Sequence, residues 1–139
     1  MTYVLDPLVA GQLGERTDLN ATTHPPVVRH VDYVVDLPTD EDLIQSFPVF
    51  LVSEDLAGAL AAANLTGFRL EDADVRPSDQ YGVFGGGEVP IKHYRWLRLD
   101  SSDPADCWLD ERLRLCVSDE MYAVISSHRI EGCEVTKTS

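Results

Sequence analysis

Two stretches of the chain share an outline, and this repetition constrains the fold more than any other feature of the sequence. Residues 50–68 read FLVSEDLAGALAAANLTGF, and residues 115–133 read LCVSDEMYAVISSHRIEGC. Each contains, in the same order, an apolar run, a serine, two acidic residues, apolar residues at helical spacing, a glycine and a further apolar residue. This order predicts a strand, a helix, a turn and a second strand, twice in the chain.

The serine of each stretch stands where a helix has to begin. The hydroxyl of Ser53 or Ser118 can accept a hydrogen bond from a backbone N–H that the first helical turn leaves unpaired. The two acids after each serine lie close to the positive end of the helix dipole. A catalytic serine needs a nearby base and usually a GxSxG turn, which neither stretch contains. We therefore interpret both serines as helix caps.

The predicted helices cover residues 54–64 and 119–128, and each has one apolar face. Glycines that follow the helices permit the turns into closing strands, over 68–75 and 133–135. Strict identities between the two stretches are few, so a remote duplication and an independent use of the same pattern both remain open. The residues expected to be buried on a sheet are Leu56, Leu60, Met121 and Ile125.

The rest of the chain is less regular. Residues 31–35 and 89–99 are rich in β-branched and aromatic residues and predict strands, and residues 3–5 predict a short one. Residues 11–26 contain Gly, Thr, Asn and Pro and predict a loop. Thr39 predicts the cap of a short helix that Phe47-Pro48 ends, with Asp40, Glu41 and Asp42 in its first turn.

These elements predict an α+β fold: one mixed or mostly antiparallel sheet with two main serine-capped helices packed on it. Residues 1–30 are a poorly patterned N-terminal segment. Residues 31–139 are expected to form a single domain with two strand-helix-strand units, at 49–75 and 114–136.

The sequence also indicates where the protein works. No apolar run approaches the roughly 20 residues that span a bilayer, and the first residues lack the pattern of a signal peptide. The three cysteines are odd in number and form no CxxC pair, so a disulfide framework is not expected. We therefore expect a cytoplasmic protein without a membrane partner.

The charge of the chain is strongly negative and uneven. The net charge is −13, and residues 32–80 hold eleven acids against two bases. Such a field repels phosphate backbones, so we expect no nucleic-acid partner. Two interpretations remain: a solvated surface that keeps the protein soluble, or a surface that attracts a basic partner.

Patterns for catalysis and for metal binding are weak. The glycines at 82–87 lack the GxxxxGK[ST] order of a phosphate-binding loop. The four histidines show no metal-ligand spacing, and the acids between 103 and 111 do not form a calcium loop. The basic and aromatic residues at 92–96 resemble a surface that binds single-stranded nucleic acid, but the negative charge of the surrounding residues opposes such binding. We expect a protein that is not an enzyme and has neither cofactor nor metal.

Several short phrases give the chain a resemblance to a known group of proteins. They are FLVSE at 50–54, LTGF at 65–68, Pro90 with YRWL at 94–97, Trp108, and LCVS at 115–118. The layout resembles bacterial immunity proteins of polymorphic toxin systems, over roughly residues 31–136. Some members of that group carry paired CxxCG metal motifs; this chain has no CxxC, so a metal is not carried over.

The resemblance implies a cytoplasmic protein that binds and blocks a cognate toxin without catalysis. Combined with the charge, it predicts an acidic surface that covers a basic toxin. A general interaction module in another assembly is the alternative, and a small-ligand protein or an enzyme is a further one. The residues predicted to contact the partner are seven acids and two aromatics beside the glycine-rich segment: Asp40, Glu41, Asp42, Glu71, Asp72, Asp74, Asp79, Tyr81 and Phe84.

Overall fold

The computed structural model describes residues 2–23, 26–83, 90–100 and 105–138. Within these ranges the fold is α+β and rich in strands, with three short helices. The strands are β1 (Thr2–Asp6), β2 (Gly11–Leu13), β3 (Asp18–Asn20), β4 (Val27–His30), β5 (Asp32–Val35), β6 (Leu43–Ser46), β7 (Val49–Ser53), β8 (Phe68–Glu71), β9 (Asp74–Pro77), β10 (Tyr94–Leu99), β11 (Cys107–Leu109), β12 (Leu115–Ser118) and β13 (Glu134–Thr138). The helices are α1 (Glu54–Ala62), α2 (Asp79–Val83) and α3 (Asp119–Ser126).

The two serine caps are present as predicted. Ser53 has extended backbone angles (φ −61°, ψ 160°), and its hydroxyl accepts the Leu56 N–H at 3.2 Å. Ser118 has nearly the same angles (φ −70°, ψ 168°) and accepts the Met121 N–H at 3.2 Å. Both serines therefore satisfy a backbone donor that the first helical turn leaves free. The helices are two residues shorter than predicted, ending at 62 and 126.

The prediction of one sheet is not confirmed, because the described strands form four sheets. The first large sheet has the order β6-β7-β10-β8, and the second large sheet has the order β11-β12-β1-β13. A three-stranded sheet, β2-β5-β9, and the pair β3-β4 complete the set. The strand predicted over 68–75 is in fact two strands, since β8 joins the first large sheet and β9 pairs in parallel with β5. That change of sheet within a few residues has no signature in the apolar pattern.

The two large sheets have the same topology. In the first, β7 and β8 both run antiparallel to β10, which lies between them. In the second, β12 and β13 both run antiparallel to β1, which lies between them. A hairpin leads into each unit, β6–β7 in one and β11–β12 in the other. The sequence repeat is therefore also a repeat of strand arrangement. We use unit from here on for each large sheet with its helix, so the central strand of the second unit, β1, comes from residues 2–6.

The N-terminal residues are part of this structure. The short strand predicted at residues 3–5 is confirmed as β1, with both of its neighbours paired. The loop predicted over 11–26 is partly wrong, because β2 pairs with β5 and β3 pairs with β4. Strands of three residues with polar side chains leave no alternating apolar pattern for sequence analysis to find.

The short helix predicted after Thr39 is also wrong. The segment carries β6, which pairs with β7 in an antiparallel hairpin, and the Phe47-Pro48 turn contains a cis peptide bond. Helix-capping residues at 39–42 favoured a helix locally, but burial of Leu43 and Ile44 against the sheet outweighs that preference. The long strand predicted over 89–99 is described from residue 90, and it begins only at Tyr94.

The main core lies where α1 and α3 pack on the large sheets and on each other. All four residues predicted to be buried, Leu56, Leu60, Met121 and Ile125, have no exposed surface. Both large sheets contribute to this core, through residues that include Leu5, Phe50, Leu97 and Val117. A second core, around Tyr33, Ile44, Leu51 and Trp96, fills the space towards the three-stranded sheet. The described helices include none that is long and apolar enough to cross a membrane.

Candidate functional site

Asp42 is a structural residue that ties the two repeated units together. It directly precedes β6, and its Oδ1 accepts the Ser53 hydroxyl at 2.6 Å and the Lys92 ammonium at 3.0 Å. Its Oδ2 accepts the N–H of Arg129 at 2.7 Å, in the turn that follows α3. The backbones are joined as well: the Asp42 N–H donates to the Arg129 carbonyl, and the Ser53 N–H donates to the Asp42 carbonyl.

Asp106 repeats this arrangement in the other unit. It directly precedes β11, and its Oδ1 accepts the Ser118 hydroxyl at 2.8 Å. Its Oδ2 accepts the N–H of Thr66 at 2.8 Å, in the turn that follows α1. Each aspartate therefore binds the capping serine of its own unit and the turn after the helix of the other unit. We call these two arrangements the reciprocal aspartate clasps.

The candidate binding surface lies beside the first clasp, at one end of the first large sheet. Strand register places the start of β6, the end of β7, the start of β10 and the end of β8 at this same end. Five exposed acids lie in the segments that precede β6, follow β7 and follow β8. We call them the acidic edge: Asp40, Glu54, Asp55, Asp72 and Asp74.

Basic groups neutralise the acidic edge only in part. Asp72 is fully exposed, and the Arg95 Nε lies 3.8 Å from its carboxylate. The Arg129 Nε lies 3.4 Å from the Asp40 carboxylate, and the His30 ring contacts Asp74 at 2.9 Å. Exposed pairs of this kind are weak and are screened by salt. Among the described residues, no basic side chain lies within ion-pair distance of Glu54 or Asp55.

Three of the nine residues predicted to contact a partner, Asp40, Asp72 and Asp74, are exposed in the segments that precede β6 and follow β8. Glu71 stands next to Asp72 but is half-buried, and both of its carboxylate oxygens accept the Arg98 guanidinium. Asp79 is exposed at the start of α2, at the far end of β9 from this surface. Phe84 lies outside the described residues.

Three of the nine residues predicted to contact a partner are buried, with at most 6% of their surface exposed. Asp42 is buried in its clasp. Glu41 is buried beside it, and its carbonyl accepts the Tyr94 hydroxyl at 2.7 Å. Tyr81 belongs to the second core. A sequence of consecutive acids does not reveal which of them the chain turns inwards, because that depends on the tertiary partners of each.

Sequence analysis assigned Glu54 and Asp55 only to the helix dipole and so missed their place in the acidic edge. Their position at a strand-to-helix junction was visible in the sequence. The order of the strands was not, and that order is what sets this junction beside the ends of β6 and β8.

The pKa values of two buried aspartates fall below the usual range. For Asp42, burial raises the pKa, but the hydrogen bonds from Ser53, the Arg129 N–H and Lys92 outweigh this effect and lower it overall. For Asp32, which has no exposed surface, the Arg76 guanidinium lowers the pKa through paired contacts of 3.0 Å to both oxygens. Both carboxylates are therefore held ionised by partners in the fold, and they act as structural anchors.

The thiols and the metal-binding residue types show no reactive arrangement in the described part of the chain. Burial raises the pKa of the Cys107 thiol to about 12 and that of the Cys133 thiol to about 11. A thiol with a raised pKa is a poor nucleophile at neutral pH. No group of three or more His, Cys, Asp or Glu side chains is placed to hold a metal ion among the residues that the structure describes.

Comparisons with known proteins give no indication of function. No family model matches the chain, and neither the curated proteins nor the solved structures contain a significant match.

Proposed function

We propose that the chain is a non-catalytic, cytoplasmic immunity protein that binds a basic protein toxin through the acidic edge and neutralises it. The observation that carries this proposal is the collection of exposed carboxylates from three separate segments, residues 40, 54–55 and 72–74, at one end of the first large sheet. The resemblance to bacterial immunity proteins supplies the class of partner.

The charge of the acidic edge suits recognition of a basic surface. The chain carries a net charge of −13, so a positively charged partner is attracted from a distance and oriented before contact. Arg129 and His30 are about half exposed in their pairs with Asp40 and Asp74, so a partner's cations can displace them at little cost, whereas Arg95 is also held by a hydrogen bond to the Leu70 carbonyl. Binding of this kind is fast and salt-sensitive.

The scaffold beneath the acidic edge supports a binding role. Ser53 and Asp42, directly under it, are buried and fully hydrogen-bonded, so the first turn of α1 and the start of β6 are held in place. A surface that is ordered before binding loses little conformational entropy when the partner docks. The acidic edge is therefore arranged to bind tightly without rearrangement.

The test is capture of the tagged chain from the cell that encodes it, at low and at high salt, followed by expression of the captured partner in a separate host. We expect one stoichiometric basic protein that is released by salt, that is toxic when expressed alone, and that is harmless when co-expressed with this chain. A bound partner without toxicity would contradict neutralisation and would favour a general interaction module. Absence of any salt-sensitive partner would contradict the binding mode itself.

A further inference from the structure

A cleft lies at the opposite end of β6 and β7 from the acidic edge. It has a volume of about 320 Å³ and lies between β1, β12 and β13 of the second large sheet and the β6–β7 hairpin of the first. Its floor is formed by the core residues Leu5, Phe50 and Leu115. Small-molecule sites begin at about 300 Å³, so the cleft is too small for a large cofactor and suits a group the size of one side chain.

Two carboxylates face each other at the rim of this cleft. Asp6 and Glu134 are directly opposite in the antiparallel pairing of β1 and β13, and both line the cleft. Like charges directly opposite across two strands destabilise a sheet. Within the described part of the chain, no basic side chain forms an ion pair with either of them. The repulsion between the Asp6 and Glu134 carboxylates is therefore not relieved by an ion pair within the described part of the chain.

The other polar groups of the cleft leave its negative charge in place. Gln45 donates to an Asp6 oxygen at 2.7 Å, which orients that carboxylate without neutralising it. Arg114 also lines the cleft, but its ion pair is with Asp110, to which its Nε donates at 2.7 Å, and not with either carboxylate of the rim. An apolar floor with an uncompensated acidic rim matches a long basic side chain, which lays its methylene stem on apolar surface and keeps its charged end among acceptors.

We propose that this cleft receives one arginine or lysine side chain of the basic protein partner. The inference rests on the proposed function for the identity of the partner and adds a second contact to the acidic edge. A strand of five residues, such as β7, spans roughly 17 Å, so one partner can reach both ends of β7 within an interface of standard size.

The test uses a probe that needs no toxin: N-acetyl-arginine amide, titrated into the ¹⁵N-labelled chain at low salt, with N-acetyl-glutamine amide as the neutral control. We expect the arginine probe alone to shift the amide signals of the cleft residues Val4, Asp6, Gln45 and Glu134. Glu134→Gln should weaken this binding roughly two- to fivefold, the range for one exposed ion pair. The matched variant with Asp72→Asn and Asp74→Asn should bind the probe as the wild type does.

Equal shifts with the neutral probe, or arginine shifts that persist after Asp6→Asn and Glu134→Gln are combined, would overturn the inference. A second readout is thermal unfolding: Glu134→Gln should raise the midpoint, because it removes the cross-strand repulsion. A lowered midpoint would show that Glu134 serves stability and would count against a binding role. Because the probe reports on the cleft alone, its failure is distinct from a failure of toxin capture.

Discussion

Replacement of Asp42 by alanine should lower the free energy of unfolding by about 3–5 kcal/mol, the range for removing one partner from a buried charged network. The change leaves the Ser53 hydroxyl and the Arg129 N–H without this acceptor, and it removes the carboxylate partner of the Lys92 ammonium, which keeps its hydrogen bond to the Asp40 carbonyl. It also releases the start of β6 from the turn after α3, and so loosens one of the two clasps that join the units. Urea unfolding followed by tryptophan fluorescence measures the effect.

The matched control is Asp106→Ala, which removes the corresponding carboxylate from the second clasp. Asp106 is more exposed, and among the described residues it forms no ion pair like that of Asp42 with Lys92, so the expected loss is about 1–2 kcal/mol. Equal losses for the two variants would contradict the account, since burial and the additional ion pair of Asp42 would then contribute nothing.

The pH dependence of the Asp42→Ala effect gives a further check on the same prediction. The folded-state pKa of Asp42 is lowered, so its contribution is fully present above the unfolded-state pKa near 4 and is lost as pH falls through the folded-state pKa. The difference in stability between wild type and Asp42→Ala should therefore be constant at neutral pH and should shrink only below about pH 4. A difference that grows towards acid pH would contradict this assignment.

Deletion of residues 1–6 should abolish cooperative folding of the whole chain. The deletion removes β1, the strand that lies between β12 and β13 and pairs with both. It also removes Leu5, which is 2% exposed in the main core beneath α3. Without β1 the second large sheet separates into the β11–β12 hairpin and the single strand β13, and an isolated hairpin is marginal in water.

Circular dichroism and thermal unfolding of the truncated chain measure this effect. Leu5→Ala is the matched control, because it keeps every backbone hydrogen bond of β1 and removes only core volume. We expect that variant to fold with a loss of about 2–5 kcal/mol. A truncated chain that unfolds cooperatively near the wild-type midpoint would show that β1 is dispensable.

Local elements of this fold could be predicted from sequence wherever one short segment contains all the necessary information. The caps at Ser53 and Ser118 and the buried faces of α1 and α3 are of this kind, because a hydroxyl, two acids and a four-residue apolar spacing are all adjacent in the chain. Strand β5 was predicted for the same reason, since three of its four residues, Tyr33, Val34 and Val35, are β-branched or aromatic.

The parts that could not be predicted depend on distant pairing. Strand β1 completes a sheet with residues more than one hundred positions away, and its five residues carry no mark of that partner. The same holds for the acids at 40–42: only the tertiary structure turns Glu41 and Asp42 inwards and leaves Asp40 outside. The sequence showed that the chain is rich in acids, but the order of the strands determines which of those acids lie in the acidic edge.

The two units resemble each other more closely in topology and hydrogen bonding than in sequence. The two units share strand order, serine cap, hairpin entry and aspartate clasp, although few side chains are identical. The hydrogen-bonding positions of the two units match where their apolar positions differ, because an N-cap or a clasp requires a specific acceptor while a core accepts many apolar residues.

The most direct test of the account is the affinity of the purified partner for a charge-reversed acidic edge, with Asp72→Lys and Asp74→Lys combined. The charge-matched control carries Glu15→Lys and Glu111→Lys, which are exposed acids outside the acidic edge. We expect the first variant to bind roughly tenfold more weakly or worse at low salt, mainly through slower association, and the control to bind nearly as the wild type does. Equal affinity of the two variants at low salt would contradict recognition through the acidic edge.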